Sequence, residues 1–386
     1  MRDAPAAPHI APSRAAAPRR DPERLAERLP ADHAKLWRPR RVLIARDAQG
    51  SEVARHAARA GEAAGAEVVH LSGNQIRGLR GETTAETYRR AKSTLAIVNA
   101  PPSALKLQPI PPSADFRLDL ATGCPAHCQY CYLAGSLSGP PVTRAYANLG
   151  EIFGVLPDYL GQGRVTSGTQ ARGGEGTTFE ASCYTDPLGI EHLTGSLSRA
   201  IEHVALLAEG GAAIGLRFTT KFDAVHPLLT LRHGGRTRAR FSVNAEAVTR
   251  RFEGGTASLS RRLEAMGQLA GAGYPVGLTI APIMPIENWR PAYLQLLRDA
   301  AGVLPESADL TVELITHRFT PGSREVLMGW YPATGLEMDP AVRAQKRNKF
   351  GGVKYVYPKA LMEEMRGWFA QSVERALPRA RLLYWT

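Results

Sequence analysis

A chain of 386 residues with 44% hydrophobic content is long enough to bury a large core, and four cysteines are too few for a disulfide scaffold of this size, so their thiols are expected to be free for metals or chemistry in a reducing compartment. No apolar run approaches the ~18 residues needed to cross a bilayer, and the first residues form no apolar signal stretch, so a cytoplasmic location without a membrane partner is expected. The balance of 48 Lys and Arg against 36 Asp and Glu, a net charge of +12, makes nucleic acid the first partner to consider, although Arg outnumbers Lys forty to eight, as a GC-rich genome would also produce.

Residues 1–35 are mostly Ala, Pro and Arg, with too few large aliphatic side chains to offset the entropy of ordering; a disordered basic arm is expected, either inert or a tether for nucleic acid. Residues 36–100 predict a small α/β domain, with a buried strand at Val42, Leu43 and Ile44, an Ala- and Glu-rich helix over 51–64, and apolar runs at 67–71 and 94–98. The proline-rich stretch 101–114 reads as a linker. From 115 to 386, strand-like runs at 116–120, 177–181, 215–219, 240–243, 276–281 and 310–315 are spaced by amphipathic stretches such as 192–208, 259–272 and 289–301. Each strand must return to the same edge through a crossover, so the repeats predict an α/β fold with a parallel sheet. The economical arrangement is a partial (β/α)6 barrel with its chemistry at the carboxyl ends of the strands.

Near the end of the chain, residues 345–358 predict a β-hairpin, because Gly351 and Gly352 precede the alternating run V-K-Y-V-Y. Lys346, Arg347, Lys349 and Lys354 supply enough cations to contact several phosphates, while Phe350, Tyr355 and Tyr357 offer faces on which unstacked bases can rest. The alternative is a solvated basic hairpin that packs its aromatics on the barrel.

Cys124, Cys128 and Cys131 stand in G-C-P-A-H-C-Q-Y-C-Y, just after the first barrel strand. Three thiolates so spaced can hold three irons of a four-iron cluster and leave the fourth iron open to a substrate or cofactor. The alternative is a zinc site with His127 as fourth ligand, although zinc knuckles more often repeat two-residue spacings. Cys183 follows the second barrel strand and points into the same mouth; taken singly, it would be read as a small buried hydrophobe. Lys221 ends a strand in a protein that otherwise prefers Arg, which suits a place for a compact ammonium; by itself it would be read as a solvated strand end. The tract G-G-E-G at 173–176 precedes a strand rather than opening a helix, and a flexible loop is expected.

The cysteine spacing, with an aromatic before the last Cys, resembles the signature of the radical S-adenosylmethionine superfamily. Further blocks, F-E-A-S-C-Y-T-D-P-L-G-I-E-H-L-T, F-T-T-K-F, R-F-S-V-N, A-G-Y-P-V-G-L-T-I-A-P-I and E-L-I-T-H-R-F-T, are similar to those of the spore photoproduct lyase family in the same order. N-Q-I-R-G-L-R-G and A-K-S-T-L in the small domain match as well, so the similarity runs from about residue 71 to the C-terminus. The resemblance implies a 4Fe-4S cluster on Cys124, Cys128 and Cys131, and S-adenosyl-L-methionine contacts from Thr185, Lys221 and Ser242. It also implies a hydrogen-donating Cys183 and a hydrogen relay through Tyr130 and Tyr132.

Two departures stand out: Tyr184 and Thr185 replace a Thr-Ser pair, and Lys349 takes the place of a hairpin Arg that fills the gap left by a flipped dinucleotide. The implied activity is reversal of 5-thyminyl-5,6-dihydrothymine, the ultraviolet spore photoproduct, to two thymines by a 5′-deoxyadenosyl radical mechanism. The implied partners are double-stranded DNA containing a thymine dimer lesion and an electron donor such as flavodoxin or ferredoxin. Two rivals remain open. A radical S-adenosylmethionine enzyme for another substrate would need neither Cys183 nor a DNA surface, and a non-catalytic iron–sulfur or zinc DNA-binding protein would never cleave S-adenosylmethionine.

Overall fold

A computed structural model describes residues 34–136, 139–165, 170–347 and 351–386. The arm expected over residues 1–35 falls, up to residue 33, outside the described residues.

Strand β1 (Arg41–Ile44) lies between β2 (Glu67–His70) and β3 (Thr94–Val98), all parallel, and buries Val42, Leu43 and Ile44. The intervening helix Glu52–Ala63 starts where the Ser51 hydroxyl accepts the Ala54 amide at 3.0 Å, satisfying one of the free donors of the first turn. After β4 (Pro109–Ile110) and β5 (Ala114–Leu118), the short strands β6 (Ala121–Thr122), β7 (His127–Cys128) and β8 (Thr143–Tyr146) follow. Strand β8 pairs with β3 and β6 with β8, so the small sheet has the order β2-β1-β3-β8-β6 and takes two of its five strands from beyond the proline-rich stretch. The chain passes from one sheet to the other at Gly123, where φ is +74° and a Cβ would stand 2.2 Å from the Val142 carbonyl oxygen; only glycine fits this crossing.

The large sheet continues through β9 (Thr177–Ala181), β10 (Ile214–Thr220), β11 (Thr237–Val243), β13 (Val276–Ile283) and β14 (Leu310–Thr316), with the two-residue strand β12 (Glu253–Gly254) outside it. Beyond these lie a hairpin, β15 (Ala344–Arg347) and β16 (Val353–Val356), and a last strand, β17 (Arg381–Trp385). The order β17-β14-β13-β11-β10-β9-β5-β4 contains the six expected strands side by side in chain order and parallel, curled into an open half-barrel. A seventh parallel strand, β17, was not anticipated; it is brought back to β14 by helix Lys359–Ala376.

Side chains alternate along the barrel strands. Phe179, Phe218, Phe241, Leu278 and Val312 enter the hydrophobic core, while Glu180, Arg217, Arg240, Thr279 and Glu313 are also buried and bond to one another. Arg240 pairs with Glu180 and with Glu313 at 2.6 Å, Arg217 pairs with Glu313, and Tyr384 of β17 donates to Glu313 at 3.0 Å. Burial by itself would raise the Glu313 carboxyl, yet Arg240 and Arg217 hold it down to about 2. Buried charges persist only when paired in this way.

Candidate active site

The three-cysteine loop is fastened from three sides. The Lys92 ammonium, at the end of helix Thr84–Lys92, donates to the carbonyls of Cys124 and Ala126. Strand β7 pairs with β12, matching Cys128 to Glu253, and the Gln129 amide donates to the Phe252 carbonyl at 2.9 Å. His127, the fourth ligand a zinc site would need, turns instead to Tyr88, whose hydroxyl lies 2.8 Å from its Nδ1. Burial and then Lys92 lower the His127 ring to about 4.

All three cysteines line one cavity of 390 Å³ at the carboxyl mouth of the half-barrel. Tyr130, Tyr132, Cys183, Thr185, Lys221 and Ser242 line it too, so the expected catalytic and cofactor residues come together. Cys183 is delivered by a turn in which Ser182 takes φ +57°, a left-handed conformation costly for a residue with a side chain. The Ser182 hydroxyl holds that turn by accepting the Leu120 amide at 3.0 Å. Burial, followed by the carboxylates of Asp119 and Glu180, pushes the Cys183 thiol far up, so it remains an S–H, the form a hydrogen-atom donor requires.

Lys221 reaches back across the mouth. Its ammonium donates at 3.0 Å to the Tyr130 hydroxyl and at 3.0 Å to Glu253, and Tyr130 donates to the same Glu253 oxygen. The second Glu253 oxygen meets Arg262 at 2.6 Å, and Arg262 donates to the Ser242 carbonyl at 3.0 Å. One buried carboxylate therefore ties the cysteine loop, Lys221 and the Ser242 strand together. Glu253 was not expected, since it sits in R-R-F-E-G-G with no motif around it. His317 and Arg318, which also line the cavity, were visible only as letters within E-L-I-T-H-R-F-T. Tyr132 is 41% exposed, with the Arg318 guanidinium 5.4 Å from its ring centre.

The residues present fit a cluster and a nucleoside cofactor. Burial raises Cys124 to about 11 and Cys128 to about 12, and raises Cys131 as well; neighbouring sulfurs add to the rise at each of Cys124 and Cys128, so the thiols sense one another across a common space. Among the described residues no three His, Cys, Asp or Glu side chains converge as the ligands of one metal ion would. The Thr185 hydroxyl, on the cavity wall, is buried without a hydrogen-bond partner and is available to a ligand.

The hairpin forms as expected, with Lys346 opposite Lys354 and Gln345 opposite Tyr355. It hangs on the barrel through two hydrogen bonds between Tyr355 and Phe319, of 2.8 and 3.2 Å. Lys346 and Arg347 are exposed, whereas one face of Tyr355 is taken by Phe319, ring centres 5.2 Å apart, and Tyr357 is buried with Arg343 3.8 Å from its ring centre. The Tyr357 ring is therefore spent on packing rather than left open for bases, whereas the half-buried Tyr355 ring has one face covered. Lys349 and Phe350 lie outside the described residues.

A half-barrel with a cysteine loop of this kind at its carboxyl mouth is of the radical S-adenosylmethionine type. The chain belongs to the spore photoproduct lyase family, whose family model, described as spore photoproduct lyase, matches residues 37–386. It is 40% identical over 317 residues to the spore photoproduct lyase of Geobacillus sp. (strain Y412MC61), covering 82% of this chain and 89% of that one. Against the spore photoproduct lyase of Bacillus subtilis (strain 168) it is 40% identical over 318 residues, covering 82% and 88%. A solved mutant of spore photoproduct lyase with bound AdoMet and dinucleoside spore photoproduct matches with a TM-score of 0.80 at 37% identity, covering 90% of this chain and 99% of that one. A solved spore photoproduct lyase complexed with dinucleoside spore photoproduct matches with a TM-score of 0.81 at 37% identity, covering 91% of this chain and all (100%) of that one. The lesion in these structures is the spore photoproduct, which corrects the broader expectation of a thymine dimer. Among the described residues no helix is long and apolar enough to cross a membrane.

Proposed function

We propose that this chain is a DNA-repair lyase that returns the spore photoproduct to two thymines, using a 4Fe-4S cluster on Cys124, Cys128 and Cys131 and S-adenosyl-L-methionine held by Thr185, Lys221 and Ser242. The observation that carries the reading is the single cavity in which the cysteine loop, the unpartnered Thr185 hydroxyl and the Cys183 side chain meet. When bound and reduced, the two cofactors supply a primary carbon radical able to take a hydrogen atom from C6 of the lesion. Cys183 then gives its S–H hydrogen to the thymine-centred radical left after the methylene bridge breaks. Tyr132 and Tyr130 would then relay a hydrogen atom from the 5′-deoxyadenosine to the Cys183 thiyl radical, restoring its S–H, and the Lys221 and Glu253 contacts keep the Tyr130 hydroxyl oriented for that passage. The lesion must leave the stack to reach the cavity, at a cost of a few kcal/mol that damage partly lowers. The exposed cations of the hairpin grip the backbone while it does so, and a small electron-carrying protein such as flavodoxin or ferredoxin supplies the electron.

Anaerobic reconstitution followed by incubation with the lesion dinucleotide tests the reading. Thymine should form in a reductant-dependent manner. Cys183→Ala should still consume S-adenosylmethionine while diverting product to by-products trapped by other reductants; a normal thymine yield from that variant would remove Cys183 from its role.

A further inference from the structure

The carboxyl edge of the small sheet bears a second cavity, of 460 Å³, that the chemistry above does not use. Strand β1 has β2 on one side and β3 on the other, and open parallel sheets bind ligands outside the carboxyl ends at such a reversal of strand order. Ile76 and Tyr146 give the cavity an apolar wall, and Asn74 and Asn99 give it two side-chain amides. Both amides are fixed on the backbone of Asp47: the Asn74 oxygen accepts its amide at 3.1 Å and the Asn99 nitrogen donates to its carbonyl at 3.2 Å. Arg144 completes the wall from β8. It is half-buried, burial lowers its pKa, and it has neither an ion pair nor a hydrogen bond among the described residues. A desolvated guanidinium without an anion is a cost that a phosphate would relieve.

A chain of polar and charged neighbours leads from this cavity toward Cys183. Tyr146 interacts with Thr122, Asp119, Arg144 and Arg117. Arg117 in turn pairs with Asp119 at 3.3 Å and donates at 2.7 Å to the hydroxyl of Tyr184, next to Cys183. Arg117 belongs to β5, whereas Arg318, Lys346 and Lys354 gather beyond β14, at the other end of the six sequential strands. Cations thus flank the mouth on both sides, as a strand lying across it would require.

Resting on the reading that lesion-bearing DNA is the substrate, we propose that this second cavity receives a nucleotide of the damaged strand beside the lesion, its phosphate on Arg144 and its base against Ile76 and Tyr146 within reach of Asn74 and Asn99. The test compares Arg144→Gln, Arg144→Lys and the parent chain, each reconstituted, on the dinucleoside lesion and on a duplex oligonucleotide carrying the lesion with several nucleotides on either side. Arg144→Gln should bind the oligonucleotide about five- to tenfold more weakly with a salt slope shallower by about one, and Arg144→Lys should regain most of the slope. The dinucleoside has no flanking phosphate and should be processed by all three alike. Parental affinity and slope in Arg144→Gln, or an equal loss on the dinucleoside, would overturn the proposal while leaving the lyase reading intact. Failure of the parent chain to bind or repair the oligonucleotide at all would sink the lyase reading itself.

Discussion

Glu253 has no chemistry of its own in the reaction, yet Lys221, Tyr130 and Arg262 all lean on it. Replacing it with Gln keeps the shape and removes the charge, leaving the Lys221 and Arg262 cations facing a neutral amide. We expect Glu253→Gln to destabilise the chain by about 3–5 kcal/mol in urea denaturation and to weaken S-adenosylmethionine binding measured by equilibrium dialysis. Unchanged affinity would show that Lys221 is held by other means. His317 makes a pH prediction: burial, then Arg343, lowers its ring from the ordinary 6.5 to about 3. The unfolded chain therefore takes up the proton first, so the stability this residue contributes is complete above pH 6.5 and is lost as pH falls toward 3. His317→Gln should flatten the fall of the urea midpoint between pH 6.5 and 4 by up to one proton; an unaltered slope would mean that His317 titrates normally. Cys183 and Lys221 were legible only through the blocks F-E-A-S-C-Y-T-D and F-T-T-K-F that resemble the family's, because singly they read as a small buried hydrophobe and a solvated strand end. Glu253 was not, because its importance comes from pairing with a loop far away in the chain.

At the scale of elements, the barrel strands were readable because each is a short run with buried faces between helical stretches, although Glu180, Arg217, Arg240 and Glu313 interrupt the apolar pattern. The two-residue strands β6, β7 and β12 have no pattern of their own and exist only through their partners. The seventh barrel strand was missed because the hairpin interrupts the alternation of strands and helices before it. That hairpin carries a contradiction: Lys346 and Lys354 face each other across the pair, and burial, with Arg318 and Lys346, lowers the Lys354 pKa. Like charges directly opposite destabilise a strand pair unless an anion lies between or beside them. Changing Lys346 and Lys354 together to Ala should lower the salt slope of duplex binding by about two phosphate contacts without lowering the melting temperature of the free protein. A slope equal to the parent's would place the duplex away from the hairpin.

Over the whole molecule, one buried charged layer closes the cavity from beneath and joins strands β9, β10, β11, β14 and β17. Glu313→Ala leaves Arg217 and Arg240 short of their shared anion and should cost roughly 3–5 kcal/mol in denaturant titrations, without altering oligonucleotide affinity per folded molecule. The other long-range tie is Lys92, which joins the small sheet to the cysteine loop through two backbone carbonyls, backed by Tyr88 on His127 from the same helix. Amide exchange reports how often such a helix opens. With its last turn and its aromatic anchor both committed to the loop, helix Thr84–Lys92 cannot fray without loosening Cys124. Whatever orders the loop should therefore slow deuterium uptake in that helix, on the far side of the loop from the cavity, giving the iron site a remote reporter that can be read without any turnover.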